Sequence, residues 1–205
     1  DGSNTNYRAT TDSGTVSTLL QERHNHFDRQ GYQSGIGFDW TYKKLNSFSG
    51  NIAYNYFGFT GSGTTNQVLQ PYKGSSIPDI VTLVNSGTNT GIIRDGSLNY
   101  KRTFAKEDQE LEASISSNSG NDKGRSYSEE FTLPEDSLFY GTNSYNPATT
   151  RETVLSVDYT QPLKENIKLG FGGKATFYNI ESNADVTSYH PVSKNYLADD
   201  FLSNS

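Results

Sequence analysis

Residues 154–177, VLSVDYTQPLKENIKLGFGGKATF, decide the fold. The stretch divides into two arms around Gln161-Pro162-Leu163-Lys164-Glu165-Asn166. In the first arm Leu155, Val157 and Tyr159 alternate with Ser156, Asp158 and Thr160; in the second Leu169, Phe171, Gly173, Ala175 and Phe177 alternate with Lys168, Gly170, Gly172, Lys174 and Thr176. A period of two puts apolar side chains on one face of a pleated strand and polar ones on the other. Proline presets the bend and cannot donate to a ladder, so the two arms read as a hairpin.

The same pattern recurs upstream. Tyr32, Ser34, Ile36, Phe38, Trp40 and Tyr42 share a face, Lys43-Lys44-Leu45-Asn46 turns the chain, and Phe48, Gly50, Ile52, Tyr54 and Tyr56 return. Leu98 and Tyr100, then Leu111, Ala113 and Ile115, continue it around a short turn at Phe104–Asp108. Seven strands are expected, at about 16–27, 32–42, 47–59, 91–103, 109–117, 152–160 and 167–178, with a tight connection at Asp28-Arg29-Gln30-Gly31. Between them 1–14, 60–90, 118–150 and 179–205 read as polar, loop-like segments punctuated by Gly and Pro, among them Pro71, Gly74 and Pro78. The cluster Ile80, Val81, Leu83 and Val84 fits either a short helix or a strand.

Little in the chain offers a second layer to cover the apolar faces. Of its 205 residues 32% are hydrophobic, the mean hydropathy is -0.73, and 14 Tyr and 19 Gly stand out. Lipid is the alternative cover, and membrane barrels use aromatics at their interfaces. No run approaches the roughly 18 apolar residues of a membrane-crossing helix. The net charge of -6 without a basic stripe argues against nucleic acid. Cysteine is absent, so disulfides and thiolate metal sites are excluded. Residues 1–14 lack the pattern of a signal peptide.

Connections sort by length: short turns near residues 44, 106 and 163 on one side, long segments on the other, with 28–31 as the one short exception. Outer-membrane barrels have that asymmetry, with strands of about 9–11 residues. Tyr42, Phe48, Phe104 and Tyr159 stand near the short turns, where an interfacial girdle would run. Asp39, Lys101, Glu110, Glu112, Asp158, Lys168 and Lys174 fall on the faces opposite the apolar stripes, which points to a wet lumen; Arg102 departs from this, beside a turn where it can snorkel.

In Asp158-Tyr159-x-x-Pro162-Leu163, Leu169-Gly170-x-Gly172-x-Lys174, Gly35-x-Gly37-x-Asp39-x-x-Tyr42-Lys43-Lys44 and Arg94-x-Gly96-x-x-x-Tyr100, in that spacing, the chain resembles the barrel portion of TonB-dependent receptors and related outer-membrane β-barrel proteins of Gram-negative bacteria. The likeness runs from about Thr15 to about Ser188. It implies an all-β, antiparallel up-and-down transmembrane barrel of about 22 strands around a plug. The chain is then expected to be an internal segment, 1–205, of one barrel domain with no plug in it. Nutrient import is the implied function, and the implied partners are outer-membrane lipid and lipopolysaccharide, the remainder of the barrel or other subunits, and the TonB energy-coupling system acting through a plug. A non-transporting anchor or scaffold in an envelope complex is the alternative, and a secreted glycan-binding β protein a further one.

No catalytic residue and no cofactor is expected. His24-x-His26-x-Asp28 shares a strand face but has no fourth ligand nearby, and its bland reading is a polar rim, so no metal site is assigned. Ser13 lies in no nucleophile elbow. The pairs Glu129-Glu130, Glu135-Asp136 and Asp199-Asp200 read as solvated loop acids, and Arg94-Asp95-Gly96 as a turn or bulge. Ligand capture is the better expectation for the segment 118–150, where Tyr127, Glu129, Glu130, Phe139, Tyr140 and Tyr145 mix aromatics with acids able to stack sugars, grip a cation or recruit calcium.

Overall fold

Alternation becomes ladder geometry in the computed structural model, which describes residues 1–12, 15–70, 78–164 and 167–204. Among them run β1 (Gly2–Asp12), β2 (Thr15–Tyr42), β3 (Asn46–Gln70), β4 (Asp79–Thr103), β5 (Glu110–Leu133), β6 (Ser137–Lys164), β7 (Ile167–Ser182), β8 (Asp185–His190) and β9 (Asn195–Ala198). All pair antiparallel in one open sheet ordered β1-β2-β3-β4-β5-β6-β8-β9, with β7 also on β6. β7 lies along Ala148–Lys164 and β8 along Thr142–Tyr145, so they follow one another on a single edge of β6. At the junction the Asn183 N–H donates to the Pro147 carbonyl at 3.1 Å, and Ala184 bridges to Asn204.

The short turns stand where expected, after Tyr42 and after Thr103, and the β6–β7 connection includes Glu165 and Asn166, outside the described residues. The strands are much longer than expected. β2 runs unbroken through Asp28-Arg29-Gln30-Gly31, which pair with Thr60–Phe57 instead of turning. The 60–90 segment is the far end of β3 and β4; Ile80–Val84 is strand, while Pro71 and Gly74 lie outside the described residues, as do Ser13 and Gly14. The segment 118–150 is a hairpin of β5 and β6 around 134–136, so Glu129-Glu130 sits in strand and not in a loop. Residues 2–12 and most of 179–198 are also strand. Arg94-Asp95-Gly96 pairs regularly on both sides, with no bulge.

One physical reason covers these corrections. Beyond about ten residues from the short turns both faces meet water, so polarity no longer alternates although the backbone ladder continues. β2 to β6 have 28, 25, 25, 24 and 28 residues. At about 3.3 Å per residue that is roughly 80 Å, more than twice a bilayer's hydrocarbon thickness of about 30 Å.

Register turns the one-strand pattern into a surface. Trp40, Phe48, Tyr100, Ala113, Val157 and Gly173 form one row across six strands; Phe38, Gly50, Leu98, Ile115, Leu155 and Ala175 form the next. The interleaved row on the opposite face is Asp39, Ser49, Asn99, Ser114, Ser156 and Lys174. Among the described residues no hydrophobic side chain is buried: Phe38 is 54%, Trp40 57%, Ile52 67% and Phe171 58% exposed. Among the described residues no second layer covers the apolar band.

Candidate functional site

Two bands of aromatics frame the apolar face. Near the short turns Trp40 stacks on Phe48 at 5.5 Å, Phe48 meets Tyr100 at 4.8 Å, and Phe104 meets Tyr159 edge-on at 6.2 Å. Arg102 lies over the Phe104 ring at 4.9 Å, so its charge is carried beside the turn. Some ten residues farther along β2, Tyr32 stacks on Tyr56 at 5.1 Å and on Tyr54 at 5.9 Å. Ten residues at about 3.3 Å, tilted by about 40°, span roughly 25 Å, the height of the apolar belt of an outer-membrane barrel. Close packing is kept by glycine within the belt, where a Cβ on Gly50 would lie 2.8 Å from the Phe38 ring.

At belt height the opposite face is a polar wall. All seven charges expected there share it by register: Asp39, Lys101, Glu110, Glu112, Asp158, Lys168 and Lys174. Lys101 donates to Glu110 at 2.7 Å and to Glu112 at 2.9 Å, while Lys168 pairs with Asp108 at 2.9 Å. Between the charges run hydroxyl and amide ladders, such as Ser114 to Ser156 at 2.7 Å and Asn118 donating to Asp95 at 2.5 Å. A recess of about 490 Å³ opens on this face, lined by Asp39, Ser49, Asn99, Lys101, Glu112 and Asp158 among others.

The residues expected to capture a ligand do not converge. Tyr127, Glu129 and Tyr145 share the face that carries the apolar band lower down, whereas Glu130 and Tyr140 pair with each other on the polar face. Phe139 is the extra residue at the register shift beside Glu130/Phe131. What gathers instead is a tyrosine cluster on the first face. Tyr196 of β9 donates to Glu129 at 2.7 Å, its ring lies 5.6 Å from Tyr189 and 6.4 Å from Tyr127, and its hydroxyl fills the space over Gly141. Burial, then the Glu129 carboxylate, push the Tyr196 phenol well above its ordinary value; the same two causes, in the same order, raise Tyr127. Next to the cluster, Asp199 is held below the usual carboxylate range, first by the Ser188 hydroxyl at 2.6 Å and then by the Leu202 N–H at 3.1 Å. The cluster fastens β9 and β8 across β6 to β5, a structural tie at the far end of the sheet.

Tyr189, Tyr196 and Gly141 carried no sequence signal, because their meeting depends on β9 folding back at residues 191–194. His24, His26 and Asp28 share the band face; His26 contacts Asp1 at 2.6 Å and Asp28 at 3.0 Å. Among the described residues no group of three or more His, Asp or Glu is arranged to hold a metal ion.

Comparison with known proteins was made with this geometry in hand. A family model described as "Outer membrane protein beta-barrel family" matches residues 102–205. No curated protein sequence matches the chain. Among solved structures, the ferric citrate transporter FecA in its unliganded form aligns at a TM-score of 0.20 with 9% identity, over 91% of this chain and 40% of that one. The membrane pore complex of pneumolysin aligns at a TM-score of 0.18 with 10% identity, over 87% of this chain and 33% of that one. The chain thus spans well under half the length of either, and overlaps of that quality carry no argument about function.

Proposed function

The chain belongs to the outer-membrane β-barrel protein family and resides in the bacterial outer membrane; from that premise we propose that it is part of the wall of a large nutrient-importing barrel of the TonB-dependent kind. The observation that carries the reading is the polar face at belt height, charged and hydroxyl-lined across β2 to β7, on strands whose other face is an exposed apolar belt. Such a wall borders a wide aqueous lumen, and strands of 24 to 28 residues suit a barrel that extends far above the bilayer. On this reading the short turns face the periplasm, the long strand ends face outward, and the lumen holds a plug on which the energy-coupling system acts.

Two experiments test it. Single Cys substitutions in the full-length protein, freed of any other cysteine and placed in liposomes, report facing directly: Asn99→Cys should react with a charged thiol reagent while Leu98→Cys stays protected. For import, a deletion strain is grown on a panel of single carbon, iron and cobalamin sources beside a strain lacking the energy-coupling system. Loss of growth on a source that both strains fail to use supports import. Normal growth on every source together with a leaky or misassembled envelope overturns it in favour of a scaffold.

A further inference from the structure

The band face changes character at the height of the outer aromatics, where Arg94 of β4 pairs directly with Tyr54, one row below Tyr56 and Ile92. Arg94 of β4 and Arg151 of β6 lie in one row, separated only by Ser119 of β5, and Lys123 and Arg125 follow four and six residues farther along β5 on the same face. All four are exposed. None takes part in the ion pairs found among the described residues. Arg94 instead rests against the Tyr54 ring at 5.9 Å and Arg125 against Tyr145 at 5.0 Å, contacts that hold each guanidinium while leaving its donors open to a ligand.

The acids of the same segments are on the other side. Asp95 neighbours Arg94, Glu152 neighbours Arg151 and Asp122 neighbours Lys123, and alternation sends each of them to the polar face. Over this height the band face of β4, β5 and β6 carries no acid; Asp28, Glu181 and Asp185 stand only at its flanks, on β2, β7 and β8. A chain with net charge -6 therefore gathers four basic side chains on this face at the outer edge of the apolar belt, apart from Arg102 beside the short turn.

We propose that this surface, centred on Arg94 and Arg151, is a binding site for the phosphate groups of outer-leaflet lipid. Three things select that occupant: the position level with Tyr54 in the outer aromatic band, one row beyond Ile36, Ile52 and Phe177, where headgroups begin; the sign of the charge; and the planar forks of the arginines, which match phosphate oxygens in pairs. The proposal deepens the reading above and rests on it for the outward direction of the strand ends.

The test uses the full-length protein in detergent, with lipopolysaccharide and dephosphorylated lipopolysaccharide as probes, and heat-modifiable gel mobility as the check on folding. The double variant R94Q/R151Q should bind lipopolysaccharide about tenfold or more weakly than the parent. Removing the phosphates should weaken binding to the parent by a similar factor and have little further effect on the variant. K123Q/R125Q should show a smaller loss, which keeps the idea open to refutation if the first variant folds poorly. As control, R23Q/R29Q removes two arginines from the polar face and should bind like the parent. Unchanged affinity in both band-face variants, or an equal loss in the control, overturns the site. If Leu98→Cys is labelled and Asn99→Cys is not, the facing itself fails; if labelling follows the expected pattern and lipid binding is unmoved, only the phosphate site fails.

Discussion

The lower ten residues of each long strand and the residues above them share one hydrogen-bonded ladder, yet their band faces have nothing else in common. Below, Trp40, Phe38, Ile52, Leu98, Leu155 and Phe171 make an apolar belt, each side chain 40–67% exposed. Above, the same face of the same strands carries Asp28, Thr60, Thr88, Arg125 and Tyr145 in one row. The opposite face changes as well: the charges and hydroxyls at belt height give way in β2 and β3 to Phe57, Phe59 and Phe27, with Phe27 stacked on Phe59 at 5.7 Å. Backbone geometry is thus indifferent to depth, and only the side chains that meet the surrounding medium record where the hydrocarbon ends.

Lysine scanning along one strand should break or sharpen that contrast most strongly. Leu98→Lys, at the middle of the belt, is expected to cost about 2–4 kcal/mol in folding into bilayers, whereas Ser86→Lys, on the same face of the same strand, should stay within about 0.5 kcal/mol. Asn99→Lys, on the polar face at belt height, should behave like Ser86→Lys. Urea titration of the full-length protein in liposomes measures all three, and equal costs at positions 98 and 86 would erase the distinction.

Packing gives the next largest effect, at the level where the two regions meet. The Phe57 ring fills the space over Gly91, so Gly91→Val should destabilise by about 1–3 kcal/mol through overpacking. At Gly124, higher in the extension, a Cβ would meet only ordinary contacts at 3.7 Å, and Gly124→Ala should be near neutral in the same assay.

Smaller and more local is the tyrosine tie. Tyr196→Phe removes the bond to Glu129 and should loosen β9 by about 1 kcal/mol, read as faster protease nicking near 191–198 with no change in bilayer insertion. Because folding raises the Tyr196 and Tyr127 phenols, their contribution is complete below the ordinary value of 10.0 and fades as pH rises above it. Nicking of the parent should therefore accelerate above pH 10.0 while the belt stays intact. Asp199 has the opposite sign: held below 3.8, its contribution is present above that value and lost as pH falls past it. Smallest of all is Lys101→Met. Its two ion pairs stand in water on the polar wall, so less than about 1 kcal/mol should be lost.

What was legible in the sequence follows the same division. Tyr32 to Tyr42 and Leu155 to Phe177 announced themselves because lipid on one side and water on the other impose opposite side-chain chemistry at every step. The segment Asn118-Ser119-Gly120-Asn121-Asp122-Lys123-Gly124 did not, since solvent on both sides removes the reason to alternate. Asp28-Arg29-Gln30-Gly31 looked like a turn by composition, yet all four residues pair within the ladder, Gly31 opposite Phe57. Of the site, the polar wall was readable from parity alone. The residues chosen for ligand capture were not separable into two faces until their strands were known, and the Tyr196 contact needed a fold-back that no local pattern marks.

From Thr18↔Gln70 down to Tyr42↔Asn46, the pairing of β2 with β3 has no slip, and β4 matches β3 just as evenly. Each side chain at the far tip therefore has its face dictated from the short-turn end. Adding a single residue midway along such a ladder would swap the aim of everything beyond it, whereas adding two would merely raise the rim. Lengthening or shortening of these hairpins by drift should accordingly come in even steps, with odd ones tolerated only beside a bulge like that at Glu130/Phe131.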